Sequence, residues 1–508
     1  MKLSTIGCDA GKPWKTIILL FIAILVEFMV ASSSASYLPA TIHFFGVPWQ
    51  KVGTYVGVVN GASEVARGVF SILAAHLIKR IGTKKSFIGM NACLGVFTIL
   101  YGFSTNVESL IVLRLFIGAL SSVYLCSVLL AYDICDEENQ TFILTWVITS
   151  SGSFGAILGP SVGGYLAIPT LQYEGSVLDH WVLEKFPIII PNLFLGVIML
   201  GIAYWSSVAL PDSSQKTKQP SEYNILINPE SHSYSSYRTF ENSAPLTTIY
   251  EDCPMIENHN LYENQQLDSV VSKNCFTKCS SESDVIEVPF WRERDFLLAT
   301  SASCLYGIYG NGGTSFVSLW LETPQERSGA GFEPRDTALV LLTTGIIQLL
   351  FEVFVIGALN KKLRAKRSFH FYTLINIFLV SNLVLFGKII DKTRFSVSFT
   401  IMYGVMRSVD SGSWTSVYIF LQNSVSSTKV TVAMGYATAI RRWVEGLSYL
   451  AIGSIYSHSL EYEAKHLNEL KRGFPLNHHL AFYIFSVTLL ASCCVTIFIR
   501  DDIDIKPE

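Results

Sequence analysis

Apolar runs of about 20 residues recur along the whole chain, with short polar loops between most of them. They fall at roughly 17–42, 53–78, 86–104, 109–132, 143–168, 186–210, 296–320, 337–360, 368–390, 396–421, 433–457 and 478–499. A hydrocarbon core about 30 Å thick takes about 20 helical residues to cross. The pattern therefore predicts an all-α polytopic membrane protein with twelve transmembrane helices. The first run is too long for a signal-peptide core and has no small-residue cleavage site in the right place, so it reads as the first span.

Between the sixth and seventh runs the material changes. Residues 211–290 are rich in Ser, Asn, Glu, Tyr and Gln, as in NPESHSYSSYRTFENS, and carry no sustained apolar periodicity. They read as a mostly disordered polar linker and a candidate for phosphorylation. The predicted layout is a tail over 1–16, a six-helix bundle over 17–210, the linker, a second six-helix bundle over 291–499, and a tail over 500–508.

Composition agrees with a membrane class. Of 508 residues 50% are hydrophobic and 15% charged, against roughly 25% charged in ordinary globular domains. The net charge of −3 is uninformative; its distribution is not. KRIGTKK follows the second run, with Lys79, Arg80, Lys84 and Lys85, and KKLRAKR follows the eighth. The positive-inside rule places both loops, both termini and the linker in the cytosol. The sequon Asn139-Gln140-Thr141 then lies on the cytosolic side and is expected to be unglycosylated. The ten cysteines show no disulfide framework and no paired zinc spacing; they read as small buried hydrophobes.

The two basic loops align with each other. AHLIKRIGTKKSF (Ala75–Phe87) lies over ALNKKLRAKRSF (Ala358–Phe369), each between the second and third spans of its half. That is a parallel repeat of six-span units, an arrangement that puts a site between the halves near the midplane.

Four glycines and a proline crowd into GAILGPSVGG, inside the fifth span. Lipid supplies no hydrophobic force between helices, so packing depends on close backbone approach, which small residues permit. Gly155, Gly159 and Gly163 form a smooth face, Gly164 widens it, and Pro160 sets a kink. One reading is plain helix packing; the other is a bendable helix at the interface of the halves.

These runs resemble motifs of the major facilitator superfamily. The loop from Ala75 to Lys85 is similar to that superfamily's G-x-x-x-D-R-x-G-R-K, matching at Arg80, Gly82 and Lys84 and departing at Ala75 and Lys79. Arg114 and Gly118 match the R-x-x-x-G of its fourth span, and GAILGPSVGG its antiporter motif. EFMVASSSASYLP, YVGVVNGASEVARG, AYDICDEE, KFPIIIPNL, SGAGF, LQNSVSSTK and FPLNHHLAFYI resemble the branch of plant zinc-induced facilitators and related fungal vacuolar proteins among the drug:proton antiporters. The resemblance implies secondary-active transport, proton-coupled antiport of a small organic solute such as a drug-like compound or metal chelate out of the cytosol. It implies a monomeric unit whose partners are lipid, solute and protons, with no nucleic acid, and a vacuolar rather than plasma membrane. A non-transporting receptor or sensor on the same fold is the alternative, favoured by the Lys79 departure and a divergent second half.

Charges inside spans carry the site expectations, since each costs about 2.5–3.5 kcal/mol at a helix centre. Glu27, Glu64 and Arg67, and Arg114 lie in the first half; Glu352, Arg407 and Asp410, and Arg441, Arg442 and Glu445 lie in the second. Three pairs sit three residues apart on one helix face and are placed to neutralise each other. Glu27 has no basic neighbour in its own helix. It is expected to be the proton-coupling carboxylate, with Arg67 or Arg114 as alternating partner; Glu64, Asp410 and Glu445 are further candidates, and Arg67, Arg114, Arg407 and Arg442 the charge partners. Tyr37, Tyr55, Tyr124, Trp320, Trp414, Tyr418 and Trp443 are candidates for stacking on a planar solute. No metal-ligand spacing, phosphate loop or hydrolytic constellation is present, so no cofactor, metal or enzymatic activity is expected.

Overall fold

The computed structural model describes residues 14–134, 150–173, 181–210, 290–360, 362–383, 392–425, 430–465 and 476–500. Most of the linker and of both tails, the Asn139 sequon and the CDEE of AYDICDEE lie outside the described residues. Among those described the architecture is all helical. The first half comprises α1 (Trp14–Ser33), α2 (Leu38–Phe44), α3 (Trp49–Ile81), α4 (Thr83–Gly102), α5 (Val107–Leu120), α6 (Val123–Ile134), α7 (Ser150–Leu166) and α8 (Ile189–Ala209). The second comprises α9 (Arg294–Glu322), α10 (Pro334–Phe351), α11 (Ala365–Leu383), α12 (Lys392–Asn423), α13 (Val430–Lys465) and α14 (Leu480–Ile497). Five described segments are apolar enough to cross a membrane on composition alone: 16–36, 107–130, 189–209, 334–360 and 480–497. Three of the other long helices, α3, α12 and α13, carry intramembrane charges.

Local chemistry sets the boundaries. α3 ends at Gly82, whose φ of 92° lies in the left-handed region that a Cβ disfavours; α4 begins at the next residue. Arg80 is exposed there and Lys84 half-buried, while the Lys79 side chain lies outside the described residues. α10 starts on a capping box between Glu333 and Asp336. It then widens into a π-helical turn, Glu352–Ile356.

Glycines decide how the two halves meet. A Cβ on Gly57 would collide with the Tyr449 carbonyl, and one on Gly453 with the Gly53 carbonyl. Gly61 and Gly446 approach each other in the same way, so α3 and α13 touch backbone to backbone along this seam. The GTYVGVVNG spacing of Gly53, Gly57 and Gly61 is the sequence signal for it. α7 behaves differently from α3. Gly155, Gly159 and Gly163 lie against Leu25, Met29 and Ser33 of α1, within the same half. Gly164 alone of the four reaches the other half, against Pro334 and Ala338 of α10. The Pro160 carbonyl accepts a hydrogen bond from the Ser36 hydroxyl at 2.6 Å. Among the cysteines, Cys126 and Cys493 are buried, but Cys93 and Cys494 face outward, which their small size and modest polarity allow.

Candidate functional site

The fourth span is not one helix. α5 stops at Leu120 and α6 begins at Val123, with Ser121 and Ser122 between them. Breaking a helix inside a bilayer frees backbone N–H groups that no water can satisfy. Glu27 supplies the acceptors. It lies on α1 with 5% of its surface exposed. Its Oε1 accepts the Val123 N–H at 3.2 Å and its Oε2 the Tyr124 N–H at 2.7 Å. A carboxylate thus faces the positive end of a half-helix. The Ser121-Ser122 pair in mid-span is the signal in the sequence that could have revealed this break.

Arg114, on α5, does not pair with Glu27 in this state. Its guanidinium donates to the Ser34 hydroxyl and lies 5.3 Å over the Tyr101 ring. Arg67 is drawn to Glu64 at 2.9 Å. Glu64 in turn accepts from Arg442 of α13 at 3.0 Å, across the two halves. Arg442 also reaches Glu445 at 3.4 Å, and Arg441 reaches Glu445 at 3.2 Å. Arg67, Glu64, Arg442, Glu445 and Arg441 therefore form one chain of charges through the α3–α13 contact. It holds three cations and two anions, and Arg441 lies 4.8 Å over the Trp414 ring.

A second polar cluster lies within the second half. Asp410 accepts from Arg407 at 2.6 Å and from the Tyr306 hydroxyl at 2.5 Å. Asn376 donates to the same hydroxyl at 3.3 Å. One residue on, Ser411 donates to Glu352 in the π turn at 2.7 Å. Tyr306 and Asn376 do not stand out in the sequence, because an aromatic and an amide in apolar runs give no pattern of their own.

The aromatic candidates separate by position. Trp414 and Tyr418 stack at 6.0 Å beside Arg441. Trp320 is buried against Phe395, Phe399 and Phe482 at the far end of α9, and is a packing residue. Tyr37 is fully buried and its hydroxyl accepts from Asn192 at 3.3 Å. Tyr55 is exposed; Trp443 is exposed too and packs on Gly68. Among the described residues no group of three His, Cys, Asp or Glu side chains is arranged to hold a metal ion.

Two bundles meet across a seam, with charges buried between their helices. Residues 17–448 match the family model of the Major Facilitator Superfamily, and the chain belongs to that family. It is 21% identical to Protein ZINC INDUCED FACILITATOR-LIKE 1 of Arabidopsis thaliana over 498 residues, 96% of this chain and 91% of that relative. It is 24% identical to the major facilitator superfamily multidrug transporter mfsB of Aspergillus fumigatus over 151 residues, 30% of this chain and 25% of that one. In fold it is similar to a bacterial homolog of the human lysosomal transporter Spinster in an inward-facing, occupied conformation. The TM-score is 0.63 at 9% identity, over 98% of this chain and all of the other. The protein is thus a multi-pass membrane transporter of the major facilitator fold, and not an enzyme.

Proposed function

We propose that this transporter is a proton-coupled antiporter that moves a small organic solute, a drug-like compound or metal chelate, out of the cytosol. The carrying observation is Glu27, a buried carboxylate held by two backbone N–H groups at the break between α5 and α6. A carboxylate there changes partner strength with protonation, because a charge-assisted bond to N–H is about twice as strong as a neutral one. Protonation loosens the tie between α1 and α6, so one proton is linked to the packing of two helices in the first half. Arg67 and Arg114 are the cations that stabilise the charged form when the bundle rearranges. Glu64 and Glu445 are further proton-site candidates within the five-residue charge chain that includes Arg442, and Asp410 is another, paired with Arg407.

The cycle follows from the seam. Inter-half contacts run from Ala40–Glu322 through Thr54–Ser457 and Asn60–Ser315 to Glu64–Arg442. They begin at the end opposite the basic loops. With Lys79, Arg80, Gly82 and Lys84 in the cytosol, this state is closed to the outer compartment, and rocking of the bundles 17–210 and 291–499 opens it. The basic loops, both termini and the linker face the cytosol, and the membrane is the vacuolar one. The multidrug relative supports a solute of organic, drug-like chemistry.

The test is proton flux in proteoliposomes under an imposed pH gradient, with a panel of amphiphilic cations and metal chelates. Wild type is expected to show solute-dependent proton movement, and Glu27→Gln to lose it while still binding solute. Coupled flux that persists undiminished in Glu27→Gln sinks the assignment of the proton site.

A further inference from the structure

α9 ends in a further buried carboxylate, which the cycle above names only as an inter-half contact. Glu322 is 3% exposed, at the closed end of the molecule. Its Oε2 accepts the Ala40 backbone N–H from α2 at 2.9 Å, so the bond spans the two halves. Its Oε1 is buried with no hydrogen-bond partner. Of the titratable groups near this end, Lys51 and Glu326 are exposed and Arg327 is half-buried, while several others have partners of their own. His43 of α2 bonds the Val47 carbonyl; Glu333, Arg335 and Asp336 at the start of α10 bond one another; His458 of α13 pairs with Glu461. Glu463 of α13 is held by Ser328 and His478.

One donor is too few for an anion. Burying an ionised carboxylate is costly unless it is paired and hydrogen-bonded on both oxygens. A neutral carboxyl suits this geometry better: the proton sits on Oε1 and the Oε2 carbonyl keeps the Ala40 N–H. Parting the halves withdraws Ala40 and admits water, which favours the anion.

We propose that Glu322 is a second proton-binding site, taking up one proton from the outer compartment as the halves close around it and releasing it there as they part. The proposal rests on the alternating-access reading and is separate from the role of Glu27. Carboxylate and proton combine to carboxyl, with no other reactant. The closed contact binds the extra proton, so acid in the outer compartment favours closure and alkali favours opening.

The experiment places spin labels at Lys51 and Glu326, exposed on opposite halves near this end, in the full-length chain freed of its own cysteines and reconstituted in vesicles. The inter-label distance is followed from acid to alkaline pH, and solute-driven proton flux is measured in parallel. The parent chain is expected to shift from the long to the short distance as pH falls. Glu322→Gln keeps an oxygen for the Ala40 N–H but cannot titrate; it is expected to lose that pH response and hold the short distance throughout. Glu27→Gln is expected to retain it. A pH response unchanged in Glu322→Gln, or absent from the parent chain, overturns the site. If Glu322→Gln fails to fold, infrared spectroscopy of the parent and Glu322→Asp chains replaces it: a protonated-carboxyl band in the closed state must shift in Glu322→Asp, and its absence or constancy overturns the site. Flux without a distance response sinks Glu322 alone; a distance response without flux supports Glu322 and sinks the antiport reading.

Discussion

The Asp410 carboxylate is 1% exposed, and Arg407 and the Tyr306 hydroxyl both donate to it. Removing the cation leaves that charge with a single neutral donor. Arg407→Leu is therefore expected to destabilise the protein by about 3–5 kcal/mol, the range for breaking a buried pair from one side. Arg407→Leu with Asp410→Asn should recover most of the loss, read as thermal unfolding in detergent. Equal melting of the single and double variants would show that the pair is not coupled. The sequence made this pair legible, since two opposite charges three apart inside an apolar run have few other outcomes. It did not make Tyr306 or Asn376 legible. They come from α9 and α11, and only folding brings them to α12.

At the level of helices, spacing of small residues predicts close approach but not against which partner. Gly163 meets the Ser33 carbonyl of α1, so a side chain there has no room. Gly163→Val is expected to cost about 1–3 kcal/mol by overpacking and to weaken the α1–α7 contact. At Gly201 of α8 an added methyl would have no neighbour within 4 Å. Gly201→Ala should instead stabilise by about 0.5–1 kcal/mol through helix propensity. Thermal melts of the two variants separate the cases, and a like effect in both would contradict the packing assigned to α7. GAILGPSVGG was readable as a packing face; that three of its glycines face α1 rather than the other half was not, because the sequence carries no record of which neighbour fills a groove.

Across the whole molecule, transport requires the seam between halves to open. The position of a Gly53 Cβ would be 2.9 Å from the Ser457 hydroxyl oxygen. Gly53→Cys with Ser457→Cys in a cysteine-free chain is expected to cross-link on oxidation and to stop transport, with activity restored by reductant. Full transport by a chain shown to be cross-linked would rule out opening at this seam. Deleting 215–285 from the linker should leave transport intact, since a solute path between the bundles does not pass through it; loss of flux in folded, correctly localised protein would move function into the linker and toward the sensor alternative.

The sequence by itself determined the class. Apolar runs of bilayer length, the repeat of the basic loops and the family motifs follow from constraints that act on each segment separately: span length, charge in loops, backbone satisfaction within a helix. It also singled out Glu27, Arg114, Asp410, Arg441 and Glu445, because a charge inside a span is visible without its neighbours, but not the buried Asp295, Glu322 and Glu463 at helix ends. Only the tertiary structure decided what each charge does. Glu27 bonds a broken helix 96 residues away, Glu64 bonds the other half, and Glu322 becomes a buried inter-half contact although it looks like a loop carboxylate. Such pairings are set by which helix faces meet, and that is fixed by packing of the whole fold rather than by any local run of residues.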